Sequence, residues 1–165
     1  MKKVFIIIGH GDIPSDFPEF DLKEYLKLRT FYKRGNLGKK AEQKFKFLEE
    51  KLKKWERTSE NDAHHYFLSN LAKELERNLK VKVEIAFNEF CYPYIEEKIE
   101  EIIDKYQEFF LIPSMIAGGR HTETQIRNKI ENLKVKYPDK KFFYAYPFKE
   151  NLVLDFFKKH IEEFS

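Results

Sequence analysis

Apolar and polar positions follow two rhythms along the chain. Val4 to Ile8 is an unbroken apolar run closed by Gly9, the pattern of a strand buried on both faces. Val81 to Phe87 alternates and predicts a second strand. Phe109 to Ile112, closed by Pro113, predicts a third, and Lys141 to Ala145 a fourth. Between them the period becomes helical. Ile95, Ile99, Ile102 and Tyr106 share one helix face, with Pro93 near its start. Ile126, Ile130, Leu133 and Tyr137 share another, stopped by Pro138. Phe156, Phe157, Ile161 and Phe164 mark a C-terminal helix.

This alternation predicts an α/β fold with a four-stranded parallel sheet, covered on both faces and reached by right-handed crossovers. Residues 14–79 exceed what one crossover needs. They predict a helix with Phe45, Leu48, Leu52 and Trp55 on one face, and another with Phe67, Leu68, Leu71 and Leu75. A further short helix within 14–34 carries Leu22, Tyr25 and Leu26. No repeat or low-complexity linker interrupts the chain. Residues 1–165 are therefore read as a single domain with a helical insertion at about 14–79.

Composition narrows the class. Hydrophobic residues make up 42% and charged residues 36% of 165, which suits a globular protein and excludes a disordered one. The net charge of +3 comes from interleaved Lys, Arg, Asp and Glu, a poor footprint for nucleic acid. The apolar run near Met1 is too short for a signal core or a membrane span, so a cytoplasmic protein with no membrane contact is expected. With one cysteine, Cys91, there is no disulfide framework and no CxxC metal site, and Cys91 reads as a small core residue. Abundant Lys and Glu resemble a heat-adapted composition.

Candidate chemistry lies at the strand ends. In open parallel sheets ligands sit beyond the carboxyl ends of the strands, where strand order reverses. With order 2-1-3-4, three loops converge there: Gly9-His10-Gly11-Asp12, Asn88-Glu89-Phe90-Cys91, and Ser114 to His121. His10 lies between two glycines that let a ligand approach, and the bland alternative is a turn histidine. Neither a GxxxxGK[ST] nor a GxGxxG phosphate loop is present. Thr122 and Gln125 have capping-box spacing, which places His121 just outside a helix N-terminus, where neutral imidazole is favoured. It could also be a plain first-turn residue. Glu89 opens the second loop, and helix-dipole compensation would explain it equally well. Arg120, beside Gly118 and Gly119, suits a carboxylate or phosphate clamp. The adjacent His64 and His65 point to different sides of one helix and read as a solvent-facing pair. Trp55 and the phenylalanine stripes read as core.

The ordered motifs Ile6-Ile7-Ile8-Gly9-His10-Gly11, Val83 to Phe90, Pro93 with its Ile-Glu-Glu helix, and Ile112-Pro113 followed by Ala117 to His121 resemble the CbiX-type family. These are small sirohydrochlorin cobaltochelatases, with ferrochelatase and nickel-chelatase relatives. The resemblance covers 4–12 and 81–165. It implies a three-layer αβα, half-ferrochelatase fold. It implies that His10 and His121 bind metal and handle pyrrole protons, with Glu89 lining the same cavity. Gly118, Gly119, Arg120 and Asp12 would contact the tetrapyrrole. The metal, Co2+ or else Fe2+ or Ni2+, would be a substrate, with no permanently bound cofactor. By resemblance the chain would pair as a homodimer, the alternative being an insertion that caps the cleft and keeps it monomeric. The chain departs from the family pattern in Asp12-Ile13 after the first motif, and in the long insertion. Two other readings stay open: a non-catalytic tetrapyrrole or metal carrier on this fold, and a flavodoxin-like module binding a phosphorylated small molecule through Gly118-Gly119-Arg120.

Overall fold

The computed structural model describes residues 2–165. Its strands are β1 (Lys3–Gly9), β2 (Val83–Phe87), β3 (Glu108–Pro113) and β4 (Lys141–Tyr144). They form one sheet of order β2-β1-β3-β4 in which every pairing is parallel, the three-layer α/β architecture expected. The helices are α1 (Glu19–Lys33), α2 (Lys39–Lys53), α3 (Ala63–Leu79), α4 (Ile95–Ile102), α5 (Arg127–Lys136) and α6 (Glu150–Glu162). Among the described residues no helix is long and apolar enough to cross a membrane.

Strand parity divides the core. Val4, Ile6 and Ile8 stand beside Phe109, Leu111 and Pro113 in register. Their face packs on Ile95, Ile99 and Ile102 of α4 and on Ile126, Ile130 and Leu133 at α5, all buried. The alternate residues point the other way. There α3 covers the β1–β2 half, with Leu68 and Ala72 on Ile7 and Val83. Phe5, Phe110 and Phe143 form a stacked row across β1, β3 and β4, with ring centres 4.9 and 4.7 Å apart.

The β3–β4 half of this second face is open, contrary to expectation. Phe143 is 43% exposed, and no residue of α6 is buried. Phe156, Phe157 and Ile161 lie on the predicted helix and Phe164 just past its end, but none of them joins the predicted core. Periodicity fixes which residues share a face, not what covers that face.

The stretch 14–79 also resolves differently from a uniform insertion. Helix α3 is the β1-to-β2 crossover and packs on both strands. Phe67, expected on its packed face, is exposed, while Leu68 is buried. The surplus is the hairpin α1–α2, which has its own small core of Phe17, Tyr25, Phe45, Leu48 and Leu52, with Trp55 at its edge. Tyr25 stacks on Phe45 with ring centres 5.5 Å apart. Burial pushes the Tyr25 hydroxyl pKa up to about 12.

Arg57 joins the hairpin to the sheet. Its guanidinium is buried with Asp62 and donates to Asp62 Oδ2 at 2.7 Å, to the carbonyls of Asp12 and Leu52 at 2.7 and 3.0 Å, and to that of Phe90 at 2.8 Å. Asp62 also caps α3, accepting from the His65 amide at 2.8 Å. This one ion pair therefore anchors the loops after β1 and β2 and the start of the crossover helix.

Candidate functional site

The loops after β1 and β2 are zipped together by backbone. The Asn88 amide donates to the Gly9 carbonyl at 2.9 Å, and the Glu89 amide to the His10 carbonyl at 3.0 Å. Gly11 has φ +91°, and a Cβ on it would lie 1.8 Å from the Glu89 carbonyl oxygen. Only glycine allows that approach. The second glycine of Gly-His-Gly is thus what brings His10 beside Glu89. Phe90, also left-handed at φ 64°, turns the loop so that its ring lies 6.2 Å from that of His10.

From the other side, the chain after β3 enters α5 through a wide π-type turn, His121–Ile126. His121 is its first residue rather than lying just outside it. The predicted capping box is absent: Gln125 Oε1 instead accepts from His121 Nδ1 at 2.7 Å and from Asn88 Nδ2 at 3.1 Å. The wide turn gives Gln125 a histidine to hold, and Thr122 Oγ1 meets the Gly119 amide at 3.2 Å.

His10, Glu89 and His121 converge. Their ring centres place the two imidazoles 4.5 Å apart, and the two Nε2 atoms are 3.3 Å from each other. Glu89 Oε1 is 3.4 Å from His10 Nε2, and His121 Nδ1 is 3.9 Å from the same oxygen. One donor atom from each residue falls within 4.8 Å of the others. The second nitrogens set the tautomers. His10 Nδ1 donates to the Gly11 carbonyl at 2.8 Å, as His121 Nδ1 does to Gln125. With those protons on Nδ1, both Nε2 atoms carry a lone pair, and they lie 3.3 Å from each other. Two ligands on one tetrahedral ion, each about 2.1 Å from it, lie roughly 3.4 Å apart, close to the spacings found. Both imidazoles are about one-third exposed and Glu89 half as much, so the donor set is open on one side.

Glu89 has a second partner, from the hairpin. Its Oε2 pairs with Arg29 of α1, whose guanidinium lies 4.5 Å over the Phe90 ring. Arg29 also lines a cleft of about 380 Å³ with Tyr32, Lys33, Glu89, Gln125 and Lys129. Burial, then Arg29, then Arg120 lower the Lys33 pKa, a sign of cations gathered at one rim. Arg120 itself is exposed and has no ion pair among the described residues.

The remaining candidates fall around this centre. Gly119 has open space where a Cβ would stand, whereas a Cβ on Gly118 would lie 3.1 Å from the Tyr146 hydroxyl. Asp12 turns its carboxylate away, 3.6 Å from His64 Nδ1. Asp12, Asp62 and His64 form a second carboxylate–imidazole group, but both Asp62 oxygens are spent on Arg57 and the His65 amide. The solvent-facing reading of His64 and His65 gives way to partial burial: His65 stacks on Phe87 at 5.4 Å, and His64 meets the same ring edge-on. Cys91 is buried as expected, and desolvation raises its thiol pKa to about 12, unsuited to metal binding.

Arg29 and Gln125 were missed by sequence reasoning. Gln125 was assigned to a cap, and its position four residues after His121 was the available signal. Arg29 is one cation among many on a charged helix, and only tertiary packing singles it out.

The family model CbiX matches residues 56–164. No curated protein sequence matches the chain significantly. Among solved structures, the sirohydrochlorin chelatase SirB from Bacillus subtilis subspecies spizizenii, in complex with cobalt, aligns at 15% identity and TM-score 0.50, over 89% of this chain and 44% of that one. SirB from Bacillus subtilis with Fe3+ aligns at 18% and 0.50, over 87% and 39%. The chain thus spans less than half the length of either SirB. A CbiX protein of Marinobacter aquaeolei VT8, assigned to cobalamin (vitamin B12) biosynthesis, aligns at 14% and 0.52, over 98% and 97%. These likenesses establish the fold.

Proposed function

The chain belongs to the CbiX family, and on that premise we propose that it is a metal chelatase inserting a divalent ion into a tetrapyrrole such as sirohydrochlorin. One observation carries the reading: His10, Glu89 and His121 come together, with His10 Nε2 lying 3.3 Å from His121 Nε2 and 3.4 Å from Glu89 Oε1, on a side open to solvent. Imidazole and carboxylate suit Co2+, with Fe2+ and Ni2+ as alternatives, in cobalamin- or sirohaem-type biosynthesis. Three donors with an open side can hold an ion without caging it.

The reaction exchanges two pyrrole N–H protons for one M2+. The trio strips water from the ion and presents it at the open side. As each pyrrole nitrogen takes the metal, its proton passes to an Nε2 lone pair or to Glu89 and then to solvent. Gly11 and Gln125 keep those lone pairs aimed outward. Arg120, with Lys33 nearby, holds substrate carboxylates, and Gly118-Gly119 lets the macrocycle edge approach.

The test is the absorption spectrum of sirohydrochlorin mixed with protein and a panel of divalent metals. Metallation faster than the protein-free rate is expected, with cobalt among the ions accepted. Spectral change from binding alone would favour a non-catalytic carrier.

We also propose that the chain, read as one domain, works in the cytoplasm as a homodimer. Two unpartnered apolar surfaces support pairing: the Phe110–Phe143 face and the stripe of α6. Light scattering is expected to give twice the chain mass, and a monomer at micromolar concentration would refute it.

A further inference from the structure

The hairpin α1–α2 is surplus to the sheet, yet it sends one side chain into the metal centre. Arg29 pairs with Glu89 Oε2 while Glu89 Oε1 faces His10 Nε2. The two partners are only 19% and 17% exposed, so water screens the pair incompletely. Phe90 carries the guanidinium on its ring and fixes its position. A permanent cation therefore sits one carboxylate away from the point where the donor atoms converge.

That placement has two consequences for an incoming dication. With Oε2 held by Arg29, Glu89 offers a single oxygen and cannot chelate. The guanidinium also draws on the same negative charge and repels the ion across a short, partly desolvated gap. Both effects loosen the site. A chelatase gains from looseness, because the ion must leave its donors for the macrocycle, and binding that stabilises the starting complex alone does not speed transfer.

We propose that Arg29 is a positioning residue that keeps Glu89 monodentate and holds metal affinity down so that the ion can be handed on. The inference rests on the trio being the metal site, and it concerns the strength of that site rather than its existence. It also gives the hairpin a role in the chemistry.

The test is equilibrium binding of Co2+ to the intact chain by calorimetry, without tetrapyrrole, alongside insertion kinetics. Arg29→Gln is expected to bind Co2+ roughly tenfold more tightly than the parent. In insertion it should lower KM for the metal and lower kcat. Arg29→Lys, which keeps the cation, should stay near the parent affinity; it also stands as the test should Arg29→Gln fail to fold, and tightening as strong as that expected of Gln would then overturn the proposal. In a Glu89→Gln background, Arg29→Gln should tighten binding much less. Unchanged or weaker Co2+ binding by folded Arg29→Gln overturns the proposal, since a purely structural role loses Glu89 and weakens the site. The outcomes separate from those of the chelatase reading: tighter Co2+ binding without insertion by any variant leaves Arg29 in its role and removes the enzyme, and insertion with unchanged affinity does the reverse.

Discussion

The proposed metal centre has two walls, built in different ways. The sheet wall is backbone. Its loops extend the β1–β2 ladder, and Gly11 presses against the Glu89 carbonyl so that His10 and Glu89 have one arrangement. The hairpin wall is side chain. Arg29 reaches in from a helix whose core is separate from the sheet's, and side chains such as Arg57, Phe90 and Lys53, which pairs with Glu97, couple the two. A wall fixed by backbone suits groups that must aim lone pairs. A wall of long side chains suits groups that adjust charge.

The harshest way to break the comparison is Gly11→Ala. Its Cβ meets backbone, which cannot rotate aside, at a positive φ that alanine resists. The expected cost is about 3 kcal/mol or more, read from urea denaturation, with loss of Co2+ binding even where the protein still folds. Tolerance of this change would mean that the sheet wall is not rigid.

That asymmetry explains what the sequence disclosed. Backbone-built features leave local marks: glycines around His10, a glycine pair before His121, and apolar runs that end where the chemistry begins. Given strand order 2-1-3-4, which the sheet has, these marks bring His10, Glu89 and His121 to strand ends that meet at the switch point. Arg29 leaves no such mark, because its neighbour Glu89 is sixty residues away and nothing local distinguishes it from the other cations of α1. Gln125 satisfied a capping pattern that a wide turn then overrode. The stripe on α6 was legible as a helix, but the surface that should cover it was not, since coverage depends on how elements or copies meet.

The smallest effect sharpens the contrast through pH. Burial against Phe87 lowers the His65 pKa behind the sheet wall. The unfolded chain takes that proton near pH 6.5, while the folded chain does so only at lower pH, so stability present above about 6.5 is lost as pH falls through that window. Burial raises the Glu49 pKa in the hairpin wall. Its contribution has the opposite sign: it is present at pH below the unfolded carboxylate value and is lost as pH rises through the folded one. Thermal midpoints should therefore show less acid loss between pH 7 and 5 in His65→Phe, and a gain at pH 7 in Glu49→Gln that vanishes in acid.

The central claim is that His10 and Glu89 on the sheet wall and His121 opposite them form the working centre. The most direct measurement is the initial rate of metallated sirohydrochlorin formation by the parent, His10→Ala and Glu89→Gln, with circular dichroism as the folding control. His10→Ala should fold and lose insertion, because its half-open loop side chain adds little packing, and Glu89→Gln should lose less, keeping its shape and one acceptor. A folded His10→Ala protein that inserts metal at the parent rate would contradict the account.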